Sequence, residues 1–292
     1  MDASPLPAGA SRAAIQHHYD VGNEFYALWL DPTLSYSCAL WREGDNLEQA
    51  QRAKIAHHLA QIAPPPGARV LDVGCGWGAT LFELVGRHHA AAAIGLTLSE
   101  RQKQHIDQTN VPGVEVLLES WEDHRPAQPY DGIVSVGAFE HFARPDLSAA
   151  QRVAIYRRFF GRCHDWLKPG GRLSVQTIAC GNMRREDFSS FFASEIFPES
   201  DLPTLGEIAE AADCLFEIES VHNDRRDYAR TLKAWRANLA ARRAEAEALV
   251  GPETVHRYDR YFMLAAIAFD ALGSMVLLRL ALTRIDQPRR KA

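Results

Sequence analysis

The residues with the most specific chemistry are Val70-Leu71-Asp72-Val73-Gly74-Cys75-Gly76-Trp77-Gly78. An apolar run leads into alternate glycines, and helix-forming residues follow from Ala79. Glycine lets the backbone turn tightly and approach a ligand with no Cβ in between, and the start of a helix presents unpaired N–H groups. Strand, glycine turn and helix in that order is how a Rossmann-like sheet receives a nucleotide. A dinucleotide site reads G-x-G-x-x-G, with an acid about twenty residues on to hold the ribose. Here the glycines read G-x-G-x-G behind Asp72, and the next strand, Ala92 to Thr97, ends without an acid. The pattern fits S-adenosylmethionine (SAM) better than NAD, because SAM has no pyrophosphate and the loop need cover only its methionine and ribose parts.

Such a loop must be held by a sheet, and the chain supplies one. Residues 1–62 read as a helical segment, with aromatics at helical spacing from His17 to Leu30 and a long helix opened by Asn46 and ending at Ile62. Pro64-Pro65-Pro66-Gly67 stops that helix, and residues 63–292 form the main domain. Strands at Val70 to Val73, Ala92 to Thr97, Val114 to Leu118, Gly132 to Val136 and Arg172 to Thr177 alternate with helices, one of them opened by Ser99 with Gln102 in a capping-box pattern. That alternation predicts a parallel sheet wrapped on both faces, with ligands at the C-terminal strand ends. Residues 180–203 then break the rhythm. Phe188, Phe191, Phe192 and Phe197 among charged residues predict an insertion laid over the site. The sheet resumes with Phe216 to Val221 and ends with Met275 to Thr283, predicted as an antiparallel pair at one edge.

Composition narrows the partners. At 292 residues and 47% hydrophobic, the chain is long enough for one large core with appended elements. No apolar run approaches the roughly twenty residues that span a bilayer, and Met1 to Ala10 lacks a basic segment followed by an apolar one. These features predict a cytoplasmic protein. The five cysteines, Cys38, Cys75, Cys163, Cys180 and Cys214, are scattered without a C-x-x-C pair, which points to neither a disulfide framework nor a zinc site. A net charge of −5 argues against nucleic-acid binding, which relies on a basic face. Arg225, Arg226, Arg230, Lys233, Arg236, Arg242 and Arg243 do make one C-terminal region basic. Such a run is either a solvated helix face or a patch for an acidic carrier protein or phospholipid headgroups.

Five segments in order resemble the cyclopropane fatty acid synthase family, especially its mycolic acid branch. They are His18-Tyr19-Asp20-Val21-Gly22-Asn23-Glu24-Phe25-Tyr26, Tyr36-Ser37-Cys38-Ala39, the glycine loop, Gly95-Leu96-Thr97-Leu98-Ser99 with Gln102, and Gly137-Ala138-Phe139-Glu140-His141-Phe142. The resemblance covers nearly the whole chain and lacks the extra N-terminal domain of the phospholipid-acting members. It implies a class I SAM-dependent methyltransferase with a mostly parallel seven-stranded sheet, acting on a carbon–carbon double bond of an acyl chain. The implied cofactor residues are Tyr36, Ser37, Asp72, Gly74, Gly76, Gly78, Thr97, Leu98, Gln102, Trp121 and Glu122. An alkene is a poor nucleophile, so the reaction needs a dry, aligned pocket. The carbocation that results needs aromatic faces, for which Tyr19, Tyr36, Phe139 and Phe142 are candidates. Ring closure needs a base, in the family a bicarbonate ion, and the matching cluster is Cys38, Glu140, Gln176 and Tyr228.

The sequence departs from the family in three places. Gln176 stands before Thr177-Ile178 where the family usually has histidine, and Ala265 stands where many mycolic members have cysteine. A glutamine can donate to an anion but cannot become charged, so this change predicts loss of the bicarbonate. The segment from Ala179 to Glu195-Ile196-Phe197-Pro198 is short, which predicts a smaller acceptor pocket than a very long lipid needs. Methyl transfer to an alkene of a lipid-like intermediate, free or carrier-bound, is the leading reading. A small-molecule C- or N-methyltransferase without ring closure is the alternative, and a SAM-binding protein without catalysis is disfavoured by Glu140 and Tyr228 beside the intact loop.

Overall fold

The computed structural model describes residues 21–185, 192, 196 and 200–287. Seven strands form one sheet in the order β3-β2-β1-β4-β5-β7-β6. They are β1 (Arg69–Val73), β2 (Ala92–Thr97), β3 (Val114–Leu118), β4 (Tyr130–Val136), β5 (Leu167–Cys180), β6 (Phe216–Asn223) and β7 (Met275–Arg284). The first five run parallel, and β7 runs antiparallel between β5 and the edge strand β6. The expected class I methyltransferase sheet is therefore present. Five strands are longer than the sequence predicted, β5 by the most. Lys168 to Gly171 enter β5 as an irregularity, because Tyr130 pairs with Leu167 and Gly132 then pairs with Arg172.

Alternate side chains of each strand serve opposite faces. Val70, Val134 and Ala93 pack with Ile55 and Leu59 of α2 (Leu47–Ile62) and Leu81 and Leu84 of α3 (Ala79–Gly86). Their neighbours Leu71, Ile133 and Ile94 pack with Ile155 and Phe159 of α5 (Ala149–Trp166) and Ile208 of α6 (Leu205–Ala212). Burial on both faces is what a parallel sheet under helices requires. A third, aromatic core joins α1 (Asn23–Ala27), α7 (Arg225–Ala241), α8 (Arg243–Val250) and α9 (Pro252–Ile267), with Trp29 against Trp235 at 5.5 Å and against Phe262 at 5.0 Å.

Local signals explain the helix starts. Asn46 and Gln49 exchange hydrogen bonds at the head of α2, each at 2.9 Å. At the head of α4 (Glu100–Thr109) only half of the expected box forms: Ser99 Oγ accepts from the Gln102 N–H at 3.3 Å, while the Gln102 side chain turns to Thr97. The helix expected from His17 to Leu30 is α1 within the described residues. Phe188, Phe191 and Phe197 lie outside them, and Phe192 is buried.

The basic run behaves as a solvated face. Lys233 pairs with Asp270, Arg236 with Asp259, Arg242 with Glu245 and Arg243 with Glu247. Arg225 donates to the carbonyls of Phe269 and Asp270, and Arg230 lies 4.0 Å over the Trp41 ring. No helix among the described residues is long and apolar enough to cross a membrane.

Candidate active site

The C-terminal ends of β1, β2 and β4 open onto a cavity of about 330 Å³. β1 lies between β2 and β4, the point at which the chain reverses its direction of travel across the sheet and leaves a crevice. Tyr36, Ser37, Asp72, Gly74, Gly76, Thr97, Leu98, Gln102, Trp121 and Glu122 all line it. Gly78 does not; it sits at the head of α3, where an added Cβ would meet Ile106 at 3.0 Å. At Gly74 (φ +83°) an added Cβ would meet the Ala138 Cβ at 2.6 Å, so this glycine lets the β1 and β4 loops touch. At Gly76 (φ +55°) nothing lies within 4 Å, and the open space belongs to the cavity.

Polar groups are fixed around it. Thr97 Oγ1 donates to Gln102 Oε1 at 2.7 Å, which leaves the glutamine N–H2 for a ligand. Trp121 is at once core and lining: Phe142 and Phe159 hold its ring at 5.2 and 5.5 Å, and the Arg158 guanidinium, paired with Glu122, lies 5.7 Å from it. Lys54 also lines the cavity, and its Nζ donates to Ser37 Oγ at 2.9 Å. All the lining residues fall between Leu34 and Phe142.

A second, smaller cavity of about 40 Å³ adjoins the first and shares Tyr36, Ser37, Gly137 and His141 with it. Cys38, Glu140, Gln176 and Tyr228, drawn from four separate segments, all line it. Glu140 stands on a short 3-10 turn (Phe139–His141) after β4, is 6% exposed, and accepts from Thr177 Oγ1 at 3.0 Å. Burial pushes its carboxyl up to about 7, despite hydrogen bonds from Thr177 and backbone N–H groups that oppose the rise. Burial likewise pushes the Cys38 thiol up to about 12, so it is a neutral lining group and not a thiolate. The Tyr261 hydroxyl, on α9, bonds to both Tyr36 and Tyr228, two of the residues that line the smaller cavity. His141 holds Ser200 Oγ at 2.7 Å through Nδ1.

Two of the aromatic candidates are placed beside these cavities. Tyr36 lines both and Phe142 lines the larger, whereas Phe139 is fully buried against Tyr156 at 4.6 Å and lines neither. Tyr19 lies outside the described residues. Ala265 is buried in α9 within the aromatic core.

Arg279 is the residue that sequence reasoning missed. On β7 it pairs in register with Gln176 on β5, so their side chains share a face. It is fully buried, and its Nε donates to Gln176 Oε1 at 2.8 Å. Its other nitrogens bond Asp224, the Ala39 carbonyl at 3.0 Å and the Cys38 carbonyl at 3.3 Å. Arginine has donors only, so Gln176 must turn its oxygen to it. Neutral His58, its ring pushed well below the usual histidine value by burial, then donates from Nε2 to the same oxygen at 3.2 Å. The Gln176 N–H2 is left towards Cys38 O, 3.5 Å away, at the edge of the pocket. One signal in the sequence marks Arg279, a lone charge within the apolar strand Met275 to Leu282.

A family model described as mycolic acid cyclopropane synthetase matches residues 8–277. The chain belongs to that family. Cyclopropane mycolic acid synthase 2 of Mycobacterium leprae is 37% identical over 270 residues, covering 85% of this chain and 86% of that protein. The structure of the cyclopropane synthase MmaA2 from Mycobacterium tuberculosis superimposes with a TM-score of 0.85 at 33% identity, covering 94% of this chain and 99% of that one. That of mycolic acid cyclopropane synthase CmaA1, complexed with S-adenosylhomocysteine (SAH) and CTAB, gives 0.84 at 33% identity with the same coverage. This chain is thus a SAM-dependent methyltransferase of the cyclopropane synthase type. Gly76→Val in this synthase is expected to weaken SAH binding by about tenfold or more. The left-handed backbone costs a side chain roughly 1–2 kcal/mol, and the valine methyls would enter the cavity. Calorimetry that found wild-type affinity in the variant would remove the loop from the cofactor site.

Proposed function

We propose that the enzyme methylates an alkene carbon within an acyl chain and closes the product to a cyclopropane ring. The observation that carries this reading is the junction of the two cavities at Tyr36, Ser37, Gly137 and His141, which opens a cofactor-sized space directly onto a buried carboxyl, phenol, thiol and amide. When bound, SAM supplies an electrophilic methyl group on a sulfonium. The chain's part is to align a weak nucleophile with it and to keep water out. Tyr36 and Tyr228 offer aromatic faces to a cationic centre, an attraction of about 2 kcal/mol or more when desolvated. In this reading residues 1–62 cover the cofactor and residues 180–203 cover the acceptor. The CTAB bound by CmaA1 is a long-chain cationic surfactant, which supports an acyl acceptor here. Because Lys233, Arg236, Arg242 and Arg243 of the basic run are paired within the chain, the lipid itself, and not an acidic carrier protein, is the acceptor we favour.

The residues of the smaller cavity also fit a bicarbonate ion, which would supply the base for ring closure. The neutral Gln176 predicted its loss, but Arg279 supports the opposite reading. It holds Gln176 Oε1 so that the N–H2 meets the Cys38 carbonyl in the lining of the pocket, and it sets an arginine paired with Asp224 behind that amide. With its carboxyl at about 7, Glu140 is partly protonated at neutral pH and can donate to an anion. Two measurements on an unsaturated phospholipid supplied with labelled SAM test the reading. Proton NMR should show olefinic signals replaced by cyclopropyl signals, and strict bicarbonate depletion should lower the rate until the ion is restored. Label uptake with olefinic protons retained would overturn ring closure, and a rate indifferent to bicarbonate would overturn the ion.

A further inference from the structure

Between α2 and β5 the core holds a column of polar side chains where apolar ones would pack at less cost. His58 and Gln61 stand about one turn apart on α2, and Ser174 and Gln176 alternate with Val175 on β5, so each pair shares a face. His58, Ser174 and Gln176 are all but fully buried. The His58 ring spans the two strand residues, with Nδ1 2.7 Å from Ser174 Oγ and Nε2 3.2 Å from Gln176 Oε1. Arg279 donates to Gln176 Oε1, so that oxygen is an acceptor and His58 Nε2 must carry the ring proton. Burial, with Arg279 and Lys54 nearby, keeps the ring uncharged, so Nδ1 is bare and takes the Ser174 hydroxyl proton. Half-buried Gln61, whose amide also meets Ser174 Oγ, is then the member that turns to offer its N–H2. Of these four side chains Gln176 lines the smaller cavity, and the other three stand behind it.

We propose, on the reading of the smaller cavity as the acceptor site, that His58 is a positioning residue: donating from Nε2 and held by Ser174, it fills the second lone pair of Gln176 Oε1 beside Arg279 and fixes the amide in the pocket wall. Two donors on one oxygen hold the amide in a single orientation, whereas one donor lets it swing about that bond.

Nitrogen NMR of the full chain carrying labelled histidine reads the tautomer directly, the His58 signals being identified by their loss in His58→Gln. At neutral pH they should show Nε2 protonated and Nδ1 bare; a protonated Nδ1 would overturn the proposal with no turnover measured. Two variants then separate position from bulk. In His58→Gln the amide nitrogen reaches the place of Nε2, and in His58→Asn only that of Nδ1. On an unsaturated phospholipid with labelled SAM, His58→Gln should stay within about threefold of the wild-type rate and His58→Asn should fall about tenfold or more, the scale of a misplaced group. SAH affinity should be unchanged in both, because His58 lines neither cavity. Equal rates in the two variants, or SAH affinity lost in step with rate, would mark His58 as merely structural and overturn the assignment. A wild type inactive on this lipid would count against the proposed acceptor instead. The decision on His58 would then pass to the Gln176 side-chain N–H2 signals, which should stay sharp in His58→Gln and broaden in His58→Asn; equal sharpness in both would overturn it.

Discussion

Glu140→Gln is expected to lower turnover by about 10²–10⁴-fold while leaving SAH affinity at its wild-type value. The carboxyl lines the smaller cavity and not the larger one, so in the proposed reading its loss removes a proton-handling group without touching the methyl donor's seat. Glutamine keeps the shape and can still accept from Thr177, which tests the proton and not the packing. Wild-type turnover in this variant would end the role assigned to Glu140. The same substitution has a stability signature. The folded carboxyl sits at about 7, above its ordinary 4.5, so the fold favours the protonated form. Its contribution is fully present below about pH 4.5 and is lost as pH rises through 7, an effect on the order of 3 kcal/mol. Urea unfolding of wild type and variant should therefore shift in favour of Glu140→Gln between pH 4.5 and 8. A pH-independent gap would contradict the raised carboxyl.

Arg279→Met should be the most damaging single change behind the pocket. It leaves Asp224 without its cation and the Ala39 carbonyl without its donor, and removes one of two donors to the Cys38 carbonyl, a loss of about 3 kcal/mol in urea unfolding. Gln176 also loses the group that orients it, and the rate should fall at least about tenfold. Arg279→Lys, which keeps the charge but not the fork, should recover part of the stability and less of the rate. Arg279 is a positioning residue, so the decisive readout is the bicarbonate concentration giving half-maximal rate. It should rise in both variants, while a purely structural defect would lower the maximal rate alone.

The parts of the site that could be read from sequence are those built within one strand and its following loop. Val70 to Gly78 carries its apolar period, its turn and its helix start in consecutive residues, and Gly137 to Phe142 follows β4 in the same way. Cys38, Glu140, Gln176 and Tyr228 were placed together only through resemblance, because nothing local links residues on four separate segments. Arg279 escaped because its partner depends on antiparallel register between β5 and β7. Lys54 looked like any lysine on a helix until α2 was packed on the sheet, where it becomes buried. Tyr261 links Tyr36 and Tyr228 through a hydroxyl that no spacing rule predicts. The basic run gave the reverse case: its charge was legible, but the pairing of Lys233, Arg236, Arg242 and Arg243 with Asp270, Asp259, Glu245 and Glu247 was not.

Every described residue lining the cofactor cavity precedes Ala143, whereas Gln176, Ser200, Leu202, Tyr228 and Leu277 face only the acceptor pocket. The smaller cavity draws on both stretches, with Cys38 and Glu140 from the earlier one, whereas the larger cavity draws on the earlier one alone. Mutations in the later stretch can be sampled by selection with the donor seat intact, so new acceptors are reachable through intermediates that still bind SAM. In Gln176 and Arg279 a neutral side chain on one strand faces a charge on its neighbour. A library randomised at Ala265 and across 180–203 would explore acceptor range along the same route.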